Sequence, residues 1–280
     1  MTQDLSNTRM DVGFIQGRQG ALFQVVHRPP EGVAVRGTVL YVHPLMEEHN
    51  KSRRMAALQA RQLAAQGWVV LQPDLYGCGD SDGDFEEARW AVWLEDLHAG
   101  LQALPHDAHQ PLILWGLRAG CLLISDLLSS HPCTPALTIL WQPVTQGDIH
   151  LNQILRLRLA SGMMSGTQGE TTKGLRERLK NGETLEVAGY ALHPEWVAGL
   201  SAATLQPPPS GEVAWFEVSG TADAPLSPAA QRQIQAWTAS GMAVHAEVLM
   251  GEPFWTTQEI REVPELIEAT TRRVQEVITR

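Results

Sequence analysis

Short apolar, β-rich runs alternate along this chain with longer stretches of helical periodicity, and that alternation limits the folds open to it more than any other feature. Thr38–His43, Trp68–Gln72, Pro111–Trp115, Ala136–Trp141, Val213–Ser219 and Ala243–Leu249 read as strands. Arg53–Gln66, Ala119–Leu128, Pro228–Thr238 and Pro264–Ile278 read as helices. Trp90, Trp93, Leu94, Leu97 and Leu101 fall on one face of a further helix. The Ala119–Leu128 stretch is apolar on nearly all sides, which predicts deep burial. This order predicts an α/β fold with a mostly parallel sheet covered by helices on both faces. Gly13–Arg28 reads instead as an antiparallel hairpin turning near Gly17–Gly20, at one sheet edge. From Pro143 to Pro209 the β signal gives way to polar, Gly-rich sequence with helical patches at Ile149–Ala160 and Lys173–Lys180. Residues 143–209 are therefore expected to be a small helical cap or lid, inserted into a core of residues 1–142 and 210–280.

The strand Pro111–Trp115 runs into Gly116-Leu117-Arg118-Ala119-Gly120 and then into the apolar helix. A small–x–nucleophile–x–small sequence between strand and helix is the nucleophile elbow of α/β-hydrolases. Its central residue occupies a strained turn, and small neighbours let strand and helix close up. Gly116, Ala119 and Gly120 keep that frame, but the central residue is Arg118. A guanidinium holds its proton near neutral pH and is no nucleophile. After Val213–Ser219, the sequence Gly220-Thr221-Ala222-Asp223-Ala224-Pro225 offers Asp223 at the triad-acid position. The loop after the last strand, where a triad base would stand, is Met250-Gly251-Glu252-Pro253-Phe254-Trp255 and has no histidine. Glu252 is its titratable group, and His245 lies inside the predicted strand. The expectation is an α/β-hydrolase fold without a Ser-His-Asp triad at the usual place.

Composition narrows the partners. Lys and Arg number 21 against 31 Asp and Glu, a net charge of −10. That balance argues against nucleic acid or an anionic membrane surface. No apolar run approaches the ~20 residues of a membrane span, and the polar stretch Met1–Met10 is no signal peptide, so a cytoplasmic protein is expected. Three cysteines without metal-ligand spacing fit a reducing compartment and point to neither a metal nor a cofactor.

Three runs carry a resemblance: His43-Pro44-Leu45-Met46-Glu47-Glu48-His49-Asn50-Lys51-Ser52-Arg53-Arg54, Asp74-Leu75-Tyr76-Gly77-Cys78-Gly79-Asp80-Ser81 and Trp115-Gly116-Leu117-Arg118-Ala119-Gly120. Together they resemble the exosortase A system-associated hydrolases, the second type in particular. The resemblance covers most of the chain and is weakest between Pro143 and Pro209. It implies an α/β-hydrolase fold in a Gram-negative bacterium, encoded beside exosortase and exopolysaccharide genes. It also implies that an arginine at the elbow belongs to the type.

Arg118 is expected at the N-terminus of a buried helix, where the dipole and free N–H groups favour an anion. It receives a carboxylate, phosphate or sulfate from a ligand, or closes the site in a salt bridge to Asp223 or Glu252, or does both. An unpaired buried guanidinium would be too costly. His43 and Pro44 stand at the oxyanion turn. Pro44 lacks an N–H, which leaves that role to the Leu45 or Met46 backbone. Glu47 and Glu48 are open to acid–base work, to pairing with Arg118 or to capping a helix. Leu117 and Ala119 flank the arginine, while Trp255, with Trp141 and Trp215, is placed to form an apolar or sugar-stacking wall. The candidate catalytic positions are thus Arg118, Asp223 and Glu252, and the candidate substrate-binding residues are His43, Leu45, Glu47, Glu48, Leu117, Ala119 and Trp255. Asp74, Asp80 and Ser81 read as turn-holding residues. Three functions stay open. The first is binding, and processing, of an anionic acyl or glycosyl intermediate, a lipid or a glycan. The second is a noncatalytic scaffold for a protein partner in the exosortase or exopolysaccharide pathway. The third is an esterase or thioesterase with a displaced nucleophile, Cys121 or Ser81.

Overall fold

Alternating apolar residues open the chain as a hairpin, β1 (Arg9–Gln16) against β2 (Ala21–Arg28), closed by the Gly17 N–H on Gly20 O at 2.9 Å. The structure is a computed structural model that describes residues 7–105, 110–164 and 169–278. β3 (Gly37–Val42), β4 (Trp68–Pro73), β5 (Leu112–Leu117) and β6 (Leu137–Trp141) follow, and all but a few of their side chains are buried. Burial on both faces explains why they read as continuous apolar runs rather than as alternating ones. The connecting helices are α1 (Glu47–Ala65), α2 (Trp90–Ala103) and α3 (Gly120–Ser130). Next come α4 (Gly147–Met164), α5 (Thr172–Lys180), the short hairpin β7 (Leu185–Val187) and β8 (Tyr190–Leu192), and α6 (Pro194–Ala202). The chain then returns to the sheet with β9 (Glu212–Ser219), α7 (Pro228–Ala239), β10 (Val244–Met250) and α8 (Pro264–Ile278).

The main sheet has eight strands in the order β1-β2-β4-β3-β5-β6-β9-β10. The β1–β2 and β2–β4 pairings are antiparallel and the rest are parallel. This is the expected α/β-hydrolase fold with its antiparallel start. One apolar cluster joins the sheet to α2 and α3 and includes Leu71, Leu114, Leu123 and Trp215. The other joins it to α1 and α8 through Val70, Trp115, Trp141 and Phe254.

Several elements differ from the sequence reading, among them α6 (Pro194–Ala202), a helix not expected in the segment before β9. α1 begins at Glu47 rather than Arg53. Its first turns carry no apolar periodicity because the inward residues, His49 and Ser52, are polar and buried. The β7–β8 hairpin was not expected. Three-residue strands are too short for a period to register, and their turn uses Ala188 and Gly189, both at positive φ.

Aromatic packing holds the segment between β6 and β9 onto α2. Trp196 of α6 meets Trp93 edge-on at 5.7 Å and Phe85 at 5.3 Å, and Phe85 meets Tyr190 at 5.1 Å. The Trp93 indole N–H donates to Tyr76 O at 2.9 Å and that of Trp90 to Asp126 Oδ2 at 2.7 Å.

The elbow depends on close approach. A Cβ on Gly120 would lie 2.4 Å from Val42 O and 2.7 Å from His43 O, and one on Gly116 would lie 2.8 Å from Ile124 Cδ1. Rigid backbone cannot give way at Gly120. Gly120→Ala is therefore expected to cost about 1–3 kcal/mol in urea unfolding. A variant as stable as the parent would show that the β3–α3 contact relaxes freely.

Candidate active site

The turn from β5 to α3 holds Arg118 at φ 55°, a conformation rare for a residue with a side chain. The Arg118 N–H donates to Trp141 O at 2.9 Å, and Val144 N–H donates to Arg118 O at 3.2 Å. Arg118 thus leaves the sheet at the carboxyl ends of the parallel strands, where open α/β sheets bind their ligands. There its Nε lies 3.2 Å from Glu48 Oε1 and 3.3 Å from Oε2. Nη1 makes a long contact to Gln142 O at 3.5 Å, and the guanidinium carbon sits 5.5 Å from the centre of the Trp255 ring. The two charged side chains are 16% and 18% exposed. Among the described residues, no protein acceptor takes Nη2. Glu48 covers one edge of the guanidinium, and the outer fork is left over.

Glu48 reaches the arginine because the chain turns sharply after β3. Met46 has φ 55° and ψ −133°, and α1 starts at the next residue. A buried polar network anchors that turn. His43 Nδ1–H donates to Pro44 O at 2.7 Å, and its Nε2 accepts from Leu75 N–H at 3.3 Å. The ring stacks on His49 with centres 3.8 Å apart. His49 Nε2 lies 3.3 Å from Asp74 Oδ1, and Asp74 Oδ2 accepts from Arg53 Nη2 at 2.9 Å and from Asp80 N–H at 3.1 Å. Burial first, then the neighbouring His49, push the His43 ring down to about 3. Burial likewise lowers His49. Burial would raise Asp74, but His49 and Arg53 hold its carboxyl well below the usual range. Ser81 Oγ donates to Asp74 O at 2.7 Å and accepts from Phe23 N–H at 2.9 Å, so its hydroxyl is engaged twice.

A cavity of about 360 Å³ opens over Arg118, within the range of small-ligand sites of about 300–1,000 Å³. Leu45, Glu47, Glu48 and Trp255 line it with Arg118, so the structure brings together those five of the sequence candidates. The others lie elsewhere. Asp223 keeps a turn conformation at φ 54° but is exposed on the loop after β9. Glu252 pairs with Arg261 at 3.1 Å on the surface, so neither carboxylate closes on Arg118. Both are solvated, and the first turn of α1 brings Glu48 closer. His43 has both ring nitrogens committed within the protein, and the Leu117 side chain is buried among the residues facing α1 and α8. The Ala119 side chain is buried too, although its backbone N–H, like that of Leu45, has no protein acceptor among the described residues. Trp141 and Trp215 fill the core rather than wall the cavity, Trp141 donating its indole N–H to Thr270 Oγ1 at 2.9 Å. Cys121 is fully buried, and burial pushes its thiol and that of Cys78 upward.

The sequence reading missed the far wall. His150, Gln153, Ile154 and Leu157 enter the cavity from α4. Their i, i+3, i+4, i+7 spacing marks one helix face, and that was the signal available. His150 is 5% exposed, and its Nδ1–H donates to Gln153 Oε1 at 3.2 Å. Burial, and then the charge of Arg118, push its ring down to about 4. Burial raises the Glu48 carboxyl against the opposing pull of Arg118.

The family described as serine aminopeptidase, S33, matches residues 33–205. No curated protein sequence matches the chain. Among solved structures, Est1E from Butyrivibrio proteoclasticus with ferulic acid bound is similar at a TM-score of 0.70 and 17% identity, over 96% of this chain and 100% of that one. A thermostable carboxyl esterase from Bacillus coagulans, in complex with glycerol, gives 0.63 and 13%, over 96% and 99%. A thioesterase domain from the curacin biosynthetic pathway gives 0.53 and 16%, over 97% and 100%. At these identities the likeness is one of fold.

Removing one partner of the Arg118–Glu48 pair strands the other in a mostly buried place. Arg118→Ala is expected to lower unfolding free energy by about 3 kcal/mol, read by urea titration. An unchanged midpoint would mean that the pair is solvated and unimportant to stability.

The depressed histidines set a pH dependence. Unfolded, His43 and His150 titrate near 6.5, whereas folded they stay neutral down to about 3 and about 4. Below pH 6.5 the unfolded chain therefore binds protons that the native protein refuses. Stability falls with pH by up to about 1.4 kcal/mol per unit for each histidine. Asp74, held ionised in the fold, adds a loss in the same direction below about pH 4. Urea titrations at pH 7, 6, 5 and 4 should show this decline, with a shallower slope in His43→Phe. A flat profile would contradict the neutral, buried assignment.

Proposed function

Because the chain belongs to the S33 serine aminopeptidase family of α/β-hydrolases, yet carries an arginine at the elbow, we propose that it binds an anionic acyl intermediate rather than hydrolysing by a serine. The observation that carries this is the divided guanidinium. Glu48 holds the Nε edge and orients the group, Nη1 makes only a long contact to Gln142 O, Nη2 has no protein acceptor among the described residues, and Arg118 lines a mainly apolar cavity. A bidentate fork at a helix N-terminus suits a carboxylate or phosphate head. Leu45, Met46, Ile154, Leu157 and Trp255 suit an acyl body. The resemblance to exosortase A system-associated hydrolases supports a role in an exosortase or exopolysaccharide system, with a lipid-linked or glycan-linked intermediate as the natural ligand.

A displaced nucleophile is the weaker reading. Cys121 is closed off in the core, and Ser81 spends its hydroxyl on the Asp74 turn. A noncatalytic partner module draws on a separate feature. Met10, Val12 and Phe14 alternate along the edge strand β1 and are each more than half exposed. On that reading Arg118 variants leave partner binding intact.

Calorimetry on the full chain tests the ligand reading with octanoate as probe and octanol as the uncharged control. Octanoate should bind and octanol should not, and Arg118→Gln should weaken octanoate by about tenfold or more. Arg118→Ser should give no p-nitrophenyl acetate turnover, since the loop after β10 holds no histidine and its Glu252 is paired with Arg261 at the surface. Equal binding of both probes, or turnover by that variant, would overturn the proposal.

A further inference from the structure

We infer that the ligand carries a hydroxyl group near its anionic head, and that His150 reads it by accepting its hydrogen bond. This rests on the anion-binding reading of Arg118. It starts from a polar atom that the site leaves without a partner. His150 is more than nine-tenths buried and lines the same cavity as Arg118. Gln153 Oε1 can only accept, so the bond at 3.2 Å places the proton on Nδ1. Nε2 is therefore a lone-pair acceptor, and among the described residues no protein donor meets it.

The neighbouring donors have other engagements. Lys51 Nζ donates to Thr256 O at 3.2 Å, and the Nε edge of Arg118 belongs to Glu48. Burial, and then the charge of Arg118, disfavour a proton on His150, so the ring stays an acceptor at neutral pH. A plain acyl carboxylate would satisfy Arg118 and pack on the apolar wall, but it would cover Nε2 with hydrocarbon. A buried acceptor left unpaired is the costly outcome, and the arrangement selects against a ligand that imposes it. A hydroxyl within reach removes that cost. A sugar acid also offers hydroxyls. Glu47, Lys51, Gln153 and Thr256 also line the cavity, but Leu45, Met46, Ile154, Leu157 and Trp255 make most of its wall apolar, so the class named here is a hydroxyacyl anion.

Calorimetry with octanoate, 2-hydroxyoctanoate, 3-hydroxyoctanoate and glucuronate separates the alternatives on the full chain. The expected result is that a hydroxyoctanoate binds about tenfold tighter than octanoate, or better. His150→Phe should bring the three fatty acids to within about twofold of one another, chiefly by weakening the hydroxylated one. Octanoate binding as tightly as both hydroxy acids in the parent protein overturns the inference while leaving the Arg118 reading standing. A preference that survives in His150→Phe overturns the role of His150. Glucuronate binding tighter than the fatty acids overturns the acyl class. If no anion binds in an Arg118-dependent way, the function reading fails and this inference fails with it.

Discussion

One close approach, the Gly120 backbone against the carbonyls of Val42 and His43, fixes the rest of the site. A strand and a helix brought that near leave the residue between them a single way out. Arg118 must take a positive φ and project above the carboxyl ends of the strands. In a hydrolase that geometry presents a nucleophile. Here it lifts a guanidinium off the sheet into a half-closed cavity, where an isolated charge is untenable. The surrounding residues can be understood as answers to that charge. Glu48 neutralises it from the first turn of α1, Trp255 offers a ring face, and His150 stays neutral beside it.

The position of Glu48 in turn depends on residues that never touch Arg118. The Met46 turn is strained and needs outside support. His43 provides it by bonding Pro44 O and Leu75 N–H, and by stacking on His49, which Asp74 holds. Two neutral histidines face to face, beside an ionised carboxylate, form a rigid floor under the site. That floor carries a cost in acid, because the native state keeps both rings unprotonated where the unfolded chain would not.

The elbow frame was legible because small residues at fixed spacing have a steric cause that local sequence records. The sheet was legible because burial on both faces writes itself as continuous apolar runs. The choice of carboxylate was not. Asp223 and Glu252 occupy the loops where a triad would be completed, yet they stay in solvent, the second held by Arg261. Nothing in the local sequence of Glu48 distinguishes it from a helix-capping acid. Only the Met46 turn, set by contacts with β4 and the loop after it, aims it at the elbow.

What the amino-acid sequence determined by itself was the architecture, its antiparallel start, and the presence of an arginine where the fold positions its reactive group. These follow from period, steric size and residue identity, all of which act over a few neighbouring residues. The tertiary structure alone decided which edge of that arginine is spent and which is left over, and which wall faces it. Those depend on α1 and α4 meeting across the ends of the strands, with about a hundred residues between Glu48 and His150 in the chain. Distances of that kind are set by the packing of whole elements against the sheet, and no short window of sequence contains them.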